Sequence, residues 1–142
     1  MSQEEMKQKI EWAGKEAWIQ GNLDALDEVY AEDYVFRRPP LPNLNGLAAA
    51  KEYIGSTRES YSDLQISYEE MIAEGGSIAY RYTWRGRHTG QSETLPIPPT
   101  GKEVTLVGSV VVHVEDGKVV EEFEYSDYLG FLQQLGVVPE LG

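Results

Sequence analysis

Apolar residues recur at helical spacing over the first third of the chain, where we predict three helices. The first lies within residues 2–20, the second spans residues 23–31 after a Gly-Asn pair, and the third runs from residue 47 to about residue 58. A short strand is predicted at residues 34–38, because the proline-rich segment that follows it forces an extended turn.

From residue 61 onward the apolar pattern changes to a period of two, which predicts strands. One strand carries an aromatic face, which comprises Ile78, Tyr80, Tyr82, Trp84 and His88, and an opposite face of arginines. A β-forming run at residues 104–114 and a strand at residues 119–126 are joined by a hairpin turn, and a short helix follows at residues 128–135. Helices followed by an antiparallel sheet predict an α+β fold, with a curved sheet wrapped around the helices.

The 142 residues predict one domain, spanning residues 1–142. The 12 basic and 24 acidic residues give a net charge of -12, which disfavours a nucleic-acid partner or an anionic membrane surface. Without cysteine, disulfides, thiolate zinc sites and thiol nucleophiles are excluded. The polar N-terminus lacks the apolar core of a signal peptide, so we expect a cytoplasmic protein.

Motifs for phosphate binding, dinucleotide binding, zinc proteolysis and serine hydrolysis are absent from the sequence. Two histidines cannot form a three-histidine zinc site. The available chemistry therefore comes from carboxylates, imidazoles, tyrosines and an apolar pocket.

Asp127 is the most suggestive carboxylate in the sequence. Alternation along the last strand places it on the same face as Phe123 and Tyr125, which we expect to point inward. Burial there would raise the pKa of Asp127 and make it a stronger general base. Asp127 is equally well interpreted as the N-cap of the helix that begins at Tyr128.

His88 ends the aromatic strand at the same end of the predicted sheet. A three-residue turn at residues 115–117 pairs Asp127 with Thr105, so Asp127 and His88 flank one middle strand about 10 Å apart. A small substrate fits such a gap, although His88 is as readily a structural histidine at the rim. The same register sends His113 to the far end of the sheet, where we interpret it as structural.

Other candidate residues have plainer interpretations. Candidate ligand-binding aromatics are Trp12 and Trp18 on the first helix, Tyr80, Tyr82 and Trp84 on the aromatic strand, and Tyr125, although such stripes are more often core. Glu122 and Glu124 are interpreted as a solvated face. Arg37 and Arg38 could contact an anionic group, but a solvated pair is the simpler interpretation.

Four segments in order resemble the SnoaL-type polyketide cyclases, also called the ester cyclase family. They are GRHTG (86–90), IPPTGK (97–102), EDGKVVE (115–121) and DYLGFLQQLG (127–136), and the early NLDALD (22–27) and DYV (33–35) also fit. The resemblance covers nearly the whole chain. It departs from the family where many relatives carry a His-Asp pair before the prolines and this chain has Arg37-Arg38, and where Arg87 replaces a usual threonine.

The resemblance implies a cone-shaped α+β barrel of the nuclear-transport-factor-2-like superfamily, with three N-terminal helices packed in a strongly curved mixed sheet. It implies a deep pocket, homo-oligomers and no metal or organic cofactor. In the characterised cyclases, an aspartate at the position of Asp127 is the acid/base of an intramolecular aldol closure of a polyketide methyl ester. His88 lies in the family's GTHTG-like motif.

The leading functional hypothesis is therefore a lyase or isomerase of the polyketide cyclase type, acting on a small hydrophobic carbonyl substrate. Asp127 would remove the proton and His88 would stabilise or protonate the enolate oxygen. The alternatives are a non-catalytic binder of a small apolar molecule, or an epoxide hydrolase, dehydratase or isomerase on the same fold. We also expect a homodimer or higher homo-oligomer, because Val107 and Val111 form a second apolar row on the 104–114 strand.

Overall fold

The computed structural model describes residues 2–92 and 95–141, and its helices lie close to the predicted ones. They are α1 (Gln3–Lys15), a π-helical turn (Glu16–Gln20), a 3-10 helix (Leu23–Glu28), α2 (Leu47–Ser60) and α3 (Tyr128–Gln134). Ser2 caps α1 by accepting a hydrogen bond from the Glu5 backbone N–H at 3.1 Å. The second predicted helix is too long, because its last residues already belong to a strand.

Six strands form one mixed sheet in the order β2-β1-β6-β5-β4-β3. They are β1 (Tyr30–Arg37), β2 (Leu44–Asn45), β3 (Tyr61–Glu74), β4 (Ser77–His88), β5 (Glu103–Glu115) and β6 (Lys118–Ser126). Only the β1–β6 pair is parallel among these neighbours, and every other neighbouring pair is antiparallel.

The predicted α+β cone is confirmed: the N-terminal helices pack on the concave side of a sheet that curls without closing. Ile10, Ala13 and Ala17, three of the apolar positions that predicted the first helix, are fully buried there. Within the described residues, no helix has the length and apolar character needed to cross a membrane.

Strand β4 has the two faces that its sequence predicted. Tyr80, Tyr82 and Trp84 are each at most 7 % exposed and point into the cone, and His88 on the same face is fully buried. The arginines between them are exposed on the convex side. This strand fixes the aromatic wall of the interior.

The hairpin between β5 and β6 differs from its prediction in register. Asp116 and Gly117 have φ angles of 50° and 75°, so they form a two-residue turn with both central residues in the left-handed region, and Glu115 pairs with Lys118. A bulge next to His113 then shifts the pairing by one further residue. The combined shift moves the end of β6 two residues along β5 from its predicted position.

The faces of β6 are the reverse of those predicted. Glu122 is 8 % exposed and, with Glu124, points into the cone, whereas Tyr125 is 63 % exposed on the convex side. Phe123 also lies outside, with its ring 5.6 Å from the guanidinium carbon of Arg37. The interpretation of the two glutamates as a solvated face is therefore wrong.

Candidate functional site

The concave side of the sheet encloses a cavity of about 130 Å³ that is lined mainly by aromatic side chains. These are Trp18, Tyr30, Tyr34, Phe36, Tyr53, Tyr61, Tyr68, Tyr80, Tyr82, Trp84, Tyr128 and Phe131. The volume is close to that of an apolar cavity that accommodates one benzene ring, about 150 Å³, and because the cavity opens to solvent a larger ligand would extend through its mouth. The shape and lining suit a flat, largely apolar ligand.

Of the predicted ligand-binding aromatics, four line this cavity: Trp18, Tyr80, Tyr82 and Trp84. Trp18 comes from the π-helical turn and meets Trp84 edge to face, with ring centroids 5.9 Å apart. The indole N–H of Trp84 is buried and has no hydrogen-bond partner among residues 2–92 and 95–141. Because this atom has almost no accessible surface, an oxygen atom of a ligand can reach it only if the indole ring moves.

The other two predicted aromatics lie elsewhere. Trp12 is 40 % exposed on α1, and Tyr125 is 63 % exposed on the convex face of the sheet. Neither lines the cavity. Their expected contact with a ligand remains a prediction with no support from the geometry.

Two carboxyl groups reach the cavity from neighbouring inward positions of β6. Burial raises the pKa of Glu122 to about 8, and the negative charge of Glu124 contributes in the same direction. Burial also raises the pKa of Glu124, but a hydrogen bond from Tyr82 and the positive charge of Arg38 act in the opposite direction. The two side chains line the same side of the cavity, but Tyr82 and Arg38 stabilise the anion of Glu124 and not that of Glu122.

Tyr82 reaches Glu124 across the intervening strand. Its hydroxyl on β4 donates to the Oε2 atom of Glu124 on β6, and Gly108 on β5 pairs with Tyr82 between them. A Cβ atom at Gly108 would lie 2.8 Å from the Tyr82 hydroxyl oxygen and 2.9 Å from the Tyr125 carbonyl oxygen. Glycine at this position is therefore what allows the tyrosine ring to cross β5.

Further tyrosines surround Glu122. Burial raises the pKa of Tyr30, Tyr68 and Tyr80, and the negative charge of Glu122 adds to each increase. These hydroxyls therefore keep their protons at neutral pH. The glutamate carboxyls lie among neutral hydroxyl groups inside an apolar cavity, which explains why they are found on the concave face.

Arg38, at the end of β1, is buried, contrary to the interpretation of a solvated arginine pair. It is 8 % exposed, its Nε donates to the Pro42 carbonyl at 3.1 Å, and its guanidinium carbon lies 4.4 Å from the centre of the Tyr53 ring. Its buried Nη1 has no hydrogen-bond partner among the residues that the structure describes. Arg37 points the opposite way and pairs with Glu121 at 2.9 Å.

Asp127 does not point into the cone. It is exposed, and its Oδ1 accepts a hydrogen bond from the Gly130 backbone N–H at 2.9 Å, which caps α3. The expectation of an inward orientation is wrong, because the aromatic face of β6 lies outside. The capping interpretation is the one that the geometry supports, and the catalytic role of Asp127 remains a prediction.

His88 is fully buried but lies behind the cavity wall. Its Nδ1 accepts a hydrogen bond from the Thr100 backbone N–H at 3.1 Å, and its ring packs on Tyr61 with centroids 5.2 Å apart. Burial lowers the pKa of His88, so the ring is neutral, with its remaining proton on the unpartnered Nε2. The structure supports an anchoring role for His88 in the segment after β4, and its predicted catalytic role stays a prediction.

Asp127 and His88 are not brought together. The backbone N–H of Asp127 donates to Val107 on β5, and that of His88 donates to Lys102. The two acceptor carbonyls lie five positions apart along the chain, which corresponds to roughly 17 Å, in addition to the two strand spacings. His113 is found near the hairpin end, as expected, with Nδ1 3.0 Å from the Ser77 hydroxyl.

Glu122 and Glu124 were not among the predicted site residues, and Arg38 was weighed as a contact for an anionic group but interpreted as solvated. Cross-strand pairing held a usable signal, because Val112 and Val110 on β5 lie opposite the two glutamates and are themselves buried. Among residues 2–92 and 95–141, no group of three or more His, Cys, Asp or Glu side chains is placed to hold a metal ion.

Comparison with known proteins places this site in a family. The family model for the SnoaL-like polyketide cyclase matches residues 10–135, which is most of the chain. The chain belongs to the SnoaL-like polyketide cyclase family. The resemblance expected from the four sequence segments is thereby confirmed.

Curated relatives of this SnoaL-like protein are polyketide cyclases. It is 27 % identical over 122 residues to the nogalonic acid methyl ester cyclase of Streptomyces nogalater, covering 84 % of this chain and 90 % of that protein. It is 27 % identical over 127 residues to the aklanonic acid methyl ester cyclase of Streptomyces sp. strain C5, covering 85 % and 76 % of the two chains.

The solved structure of TsrD from Streptomyces laurentii has the same fold. The two structures superpose with a TM-score of 0.85 at 22 % sequence identity, covering 97 % of this chain and 99 % of that one. At this level of identity the match supports the architecture of the SnoaL-like cone and not a shared reaction.

Proposed function

We propose that this chain is a cyclase that closes a ring by an intramolecular aldol-type reaction on a small hydrophobic carbonyl substrate. The observation that carries the proposal is the pair of carboxyl groups, Glu122 and Glu124, inside an aromatic cavity. Different surroundings act on the pKa values of the two carboxyl groups. Two carboxyl groups with different pKa values can supply a base and an acid in one site. The curated relatives support the reaction class.

Glu124 is the proposed general base. The hydroxyl of Tyr82 and the charge of Arg38 both stabilise its anion, so it loses its proton at lower pH than Glu122. A carboxylate whose pKa is raised by burial is also a stronger base than one in water. Glu124 would remove a proton from a carbon atom next to a carbonyl group of the substrate.

Glu122 is the proposed general acid. A carboxyl group with a pKa of about 8 still carries its proton at neutral pH. It lies on the same inward face of β6 as Glu124, about 7 Å away along the strand. That spacing places the acid and the base on two different atoms of one substrate.

The proposed step balances without an additional reactant. The C–H bond breaks as Glu124 accepts the proton, and the resulting enolate carbon forms a C–C bond to a second carbonyl carbon of the same molecule. Glu122 then gives its proton to the new alkoxide oxygen, and one proton passes from Glu124 back to Glu122 through bulk water or the product. The product is an isomer of the substrate, so the proposed reaction consumes no cofactor.

The aromatic lining has two proposed functions. It excludes water, which strengthens the electrostatic interactions of the carboxyl groups and protects the enolate from protonation by solvent. It also stacks on a planar substrate and restricts its conformations, which brings the two reacting carbons together. The N–H of Trp84 is a candidate donor to the enolate oxygen once the indole ring moves.

The proposal is tested with aklanonic and nogalonic acid methyl esters and the corresponding free acids. Because ring closure does not change the mass, the product is detected as an isomer with a different retention time and absorption spectrum. We expect at least one of these compounds to be cyclised faster than in a buffer control and than with the Glu124→Gln variant. Saturable binding without turnover of any of the four compounds would contradict the proposal and favour a ligand-binding protein.

A further inference from the structure

Arg38 has features of a ligand-binding residue rather than of a structural one. Its side chain is more than nine-tenths buried, and within the described part of the chain Nε donates to the Pro42 carbonyl whereas Nη1 has no partner. Among the residues that the structure describes, no carboxylate forms an ion pair with it. Burial of a guanidinium group with an unpaired N–H destabilises a protein unless another group accepts a hydrogen bond from it.

The head of Arg38 lies against the wall of the cavity. It lies over the ring of Tyr53, which lines the cavity, with 4.4 Å between the guanidinium carbon and the ring centre. Its charge also acts on Glu124 and Tyr128, two further lining residues, by lowering the pKa values that burial raises. Arg38 thus brings a fixed positive charge to the same part of the cavity as the proposed base.

We propose that Arg38 binds a free carboxylate group of the substrate, so that this chain acts on an acid in preference to its methyl ester. The planar guanidinium offers parallel N–H donors that match the two oxygens of a carboxylate, and Nη1, which has no partner among the described residues, can take part once the side chain moves it out of its buried position. A neutral ester would gain less from this positive charge, which among the described carboxylates acts on Glu124 without forming an ion pair. This inference rests on the cavity being the substrate site of the proposed function.

Arg37, the last residue of β1 and the neighbour of Arg38 in the chain, supplies a matched control. It points to the convex face of the sheet, where its Nε donates to Glu121 at 2.9 Å and its guanidinium lies near Phe123. Both arginines therefore carry the same charge and lie near an aromatic ring. Only Arg38 lies against the cavity wall.

The test measures binding of 2-naphthoate and methyl 2-naphthoate by calorimetry to the wild type and to the Arg38→Met and Arg37→Met variants. Neither probe can undergo ring closure, so the result does not depend on turnover. We expect the wild type and Arg37→Met to bind the carboxylate more tightly than the ester. In Arg38→Met this preference is expected to fall roughly 10- to 100-fold, the effect of losing one charge-assisted interaction.

A structural role of Arg38 gives a different result. Loss of the hydrogen bond to Pro42 would weaken the binding of both probes equally or lower the melting temperature. The ratio of the two affinities would then stay at the wild-type value. That result would overturn the proposal, as would a wild type that does not bind 2-naphthoate more tightly than its ester. Arg38→Lys keeps the charge without the planar fork and is expected to recover part of the preference.

Discussion

The hydroxyl of Tyr82 on β4 donates a hydrogen bond to the carboxylate of Glu124 on β6, two strands away in the sheet. The contact is possible because β5 carries Gly108 between them, and a Cβ atom there would lie 2.8 Å from the Tyr82 hydroxyl oxygen. This link holds Glu124 in one orientation and stabilises its anion. Gly108 therefore helps to position the proposed base indirectly, because it leaves the space through which Tyr82 reaches Glu124.

Gly108→Ala is expected to separate Tyr82 from Glu124. The new methyl group would force the tyrosine ring or the backbone of β6 to move, at a cost of roughly 1–3 kcal/mol in the free energy of unfolding. Turnover should fall as well, because Glu124 loses its partner. The control is Gly55→Ala on α2, where the nearest atom would lie at 3.6 Å and a helix former replaces glycine. Unchanged stability and turnover in Gly108→Ala would contradict the described contact.

Tyr82→Phe is expected to shift the pH dependence of turnover. Without the hydroxyl, the Glu124 anion loses a hydrogen bond that lowers its pKa, so the acidic limb of the pH–rate profile should move to higher pH. Tyr80→Phe, which removes a hydroxyl from the same face of the same strand, is the control. If the acidic limb of the pH–rate profile lies at the same pH in Tyr82→Phe and in the wild type, ionisation of Glu124 does not determine that limb.

Stability should fall with rising pH because of Glu122. Its pKa is about 8 in the folded protein and about 4.5 in the unfolded chain, so between these values the folded state holds a proton that the unfolded state has released. The free energy of unfolding then falls by up to roughly 1.4 kcal/mol per pH unit across that window. Glu124 and the nearby tyrosines face Glu122, and they are identical in the wild type and in a variant changed only at residue 122.

Glu122→Gln removes this titration and keeps the size of the side chain. We expect the free energy of unfolding of the variant minus that of the wild type to be more positive at pH 8 than at pH 5. Urea unfolding of both proteins at the two pH values measures this difference. Glu121→Gln, on the convex face of the same strand, is the matched control for removal of a charge. A stability difference between Glu122→Gln and the wild type that is the same at both pH values would show that the carboxyl is not held protonated.

The sequence predicted β4 better than β6, and the reason is polarity. On β4 the inward residues are aromatic and the outward ones are arginines, so alternation and polarity agree. On β6 the inward residues are glutamates and the outward ones include Phe123 and Tyr125, so a rule that buries apolar side chains selects the wrong face. Only the tyrosines contributed by other strands explain why carboxyl groups are tolerated inside.

The position of Asp127 depended on the hairpin register as well. A two-residue turn and a bulge together move the end of β6 two residues along β5, and neither is visible in the polarity pattern. The burial of Arg38 was also beyond the sequence, because it depends on Tyr53 from α2 lying under the guanidinium. Site residues that are polar and inward are the ones that periodicity assigns least well.

The convex face of the sheet is predicted to form a homodimer interface. Val107 is 45 % exposed and Val111 is 38 % exposed there, in agreement with the second apolar row expected from the sequence. Sedimentation equilibrium of the wild type at micromolar concentration should show a dimer, and Val107→Lys should shift it toward a monomer. The control is Trp12→Lys, an exposed apolar residue on α1 on the other side of the sheet, which should leave the dimer intact. A wild type that sediments as a monomer would contradict the prediction.

The most direct test of the proposed chemistry compares Glu124→Gln with Asp127→Asn in one turnover assay, using the substrate found among the four candidate compounds. Both changes replace a carboxyl group by an amide of the same size, and asparagine can still cap α3. If Glu124 is the base, turnover in Glu124→Gln falls roughly 10²–10⁴-fold, while Asp127→Asn stays within a few-fold of the wild type, with similar melting temperatures for both. A folded Glu124→Gln variant with near-wild-type turnover, beside an inactive Asp127→Asn variant, would contradict the account and return the catalytic role to Asp127.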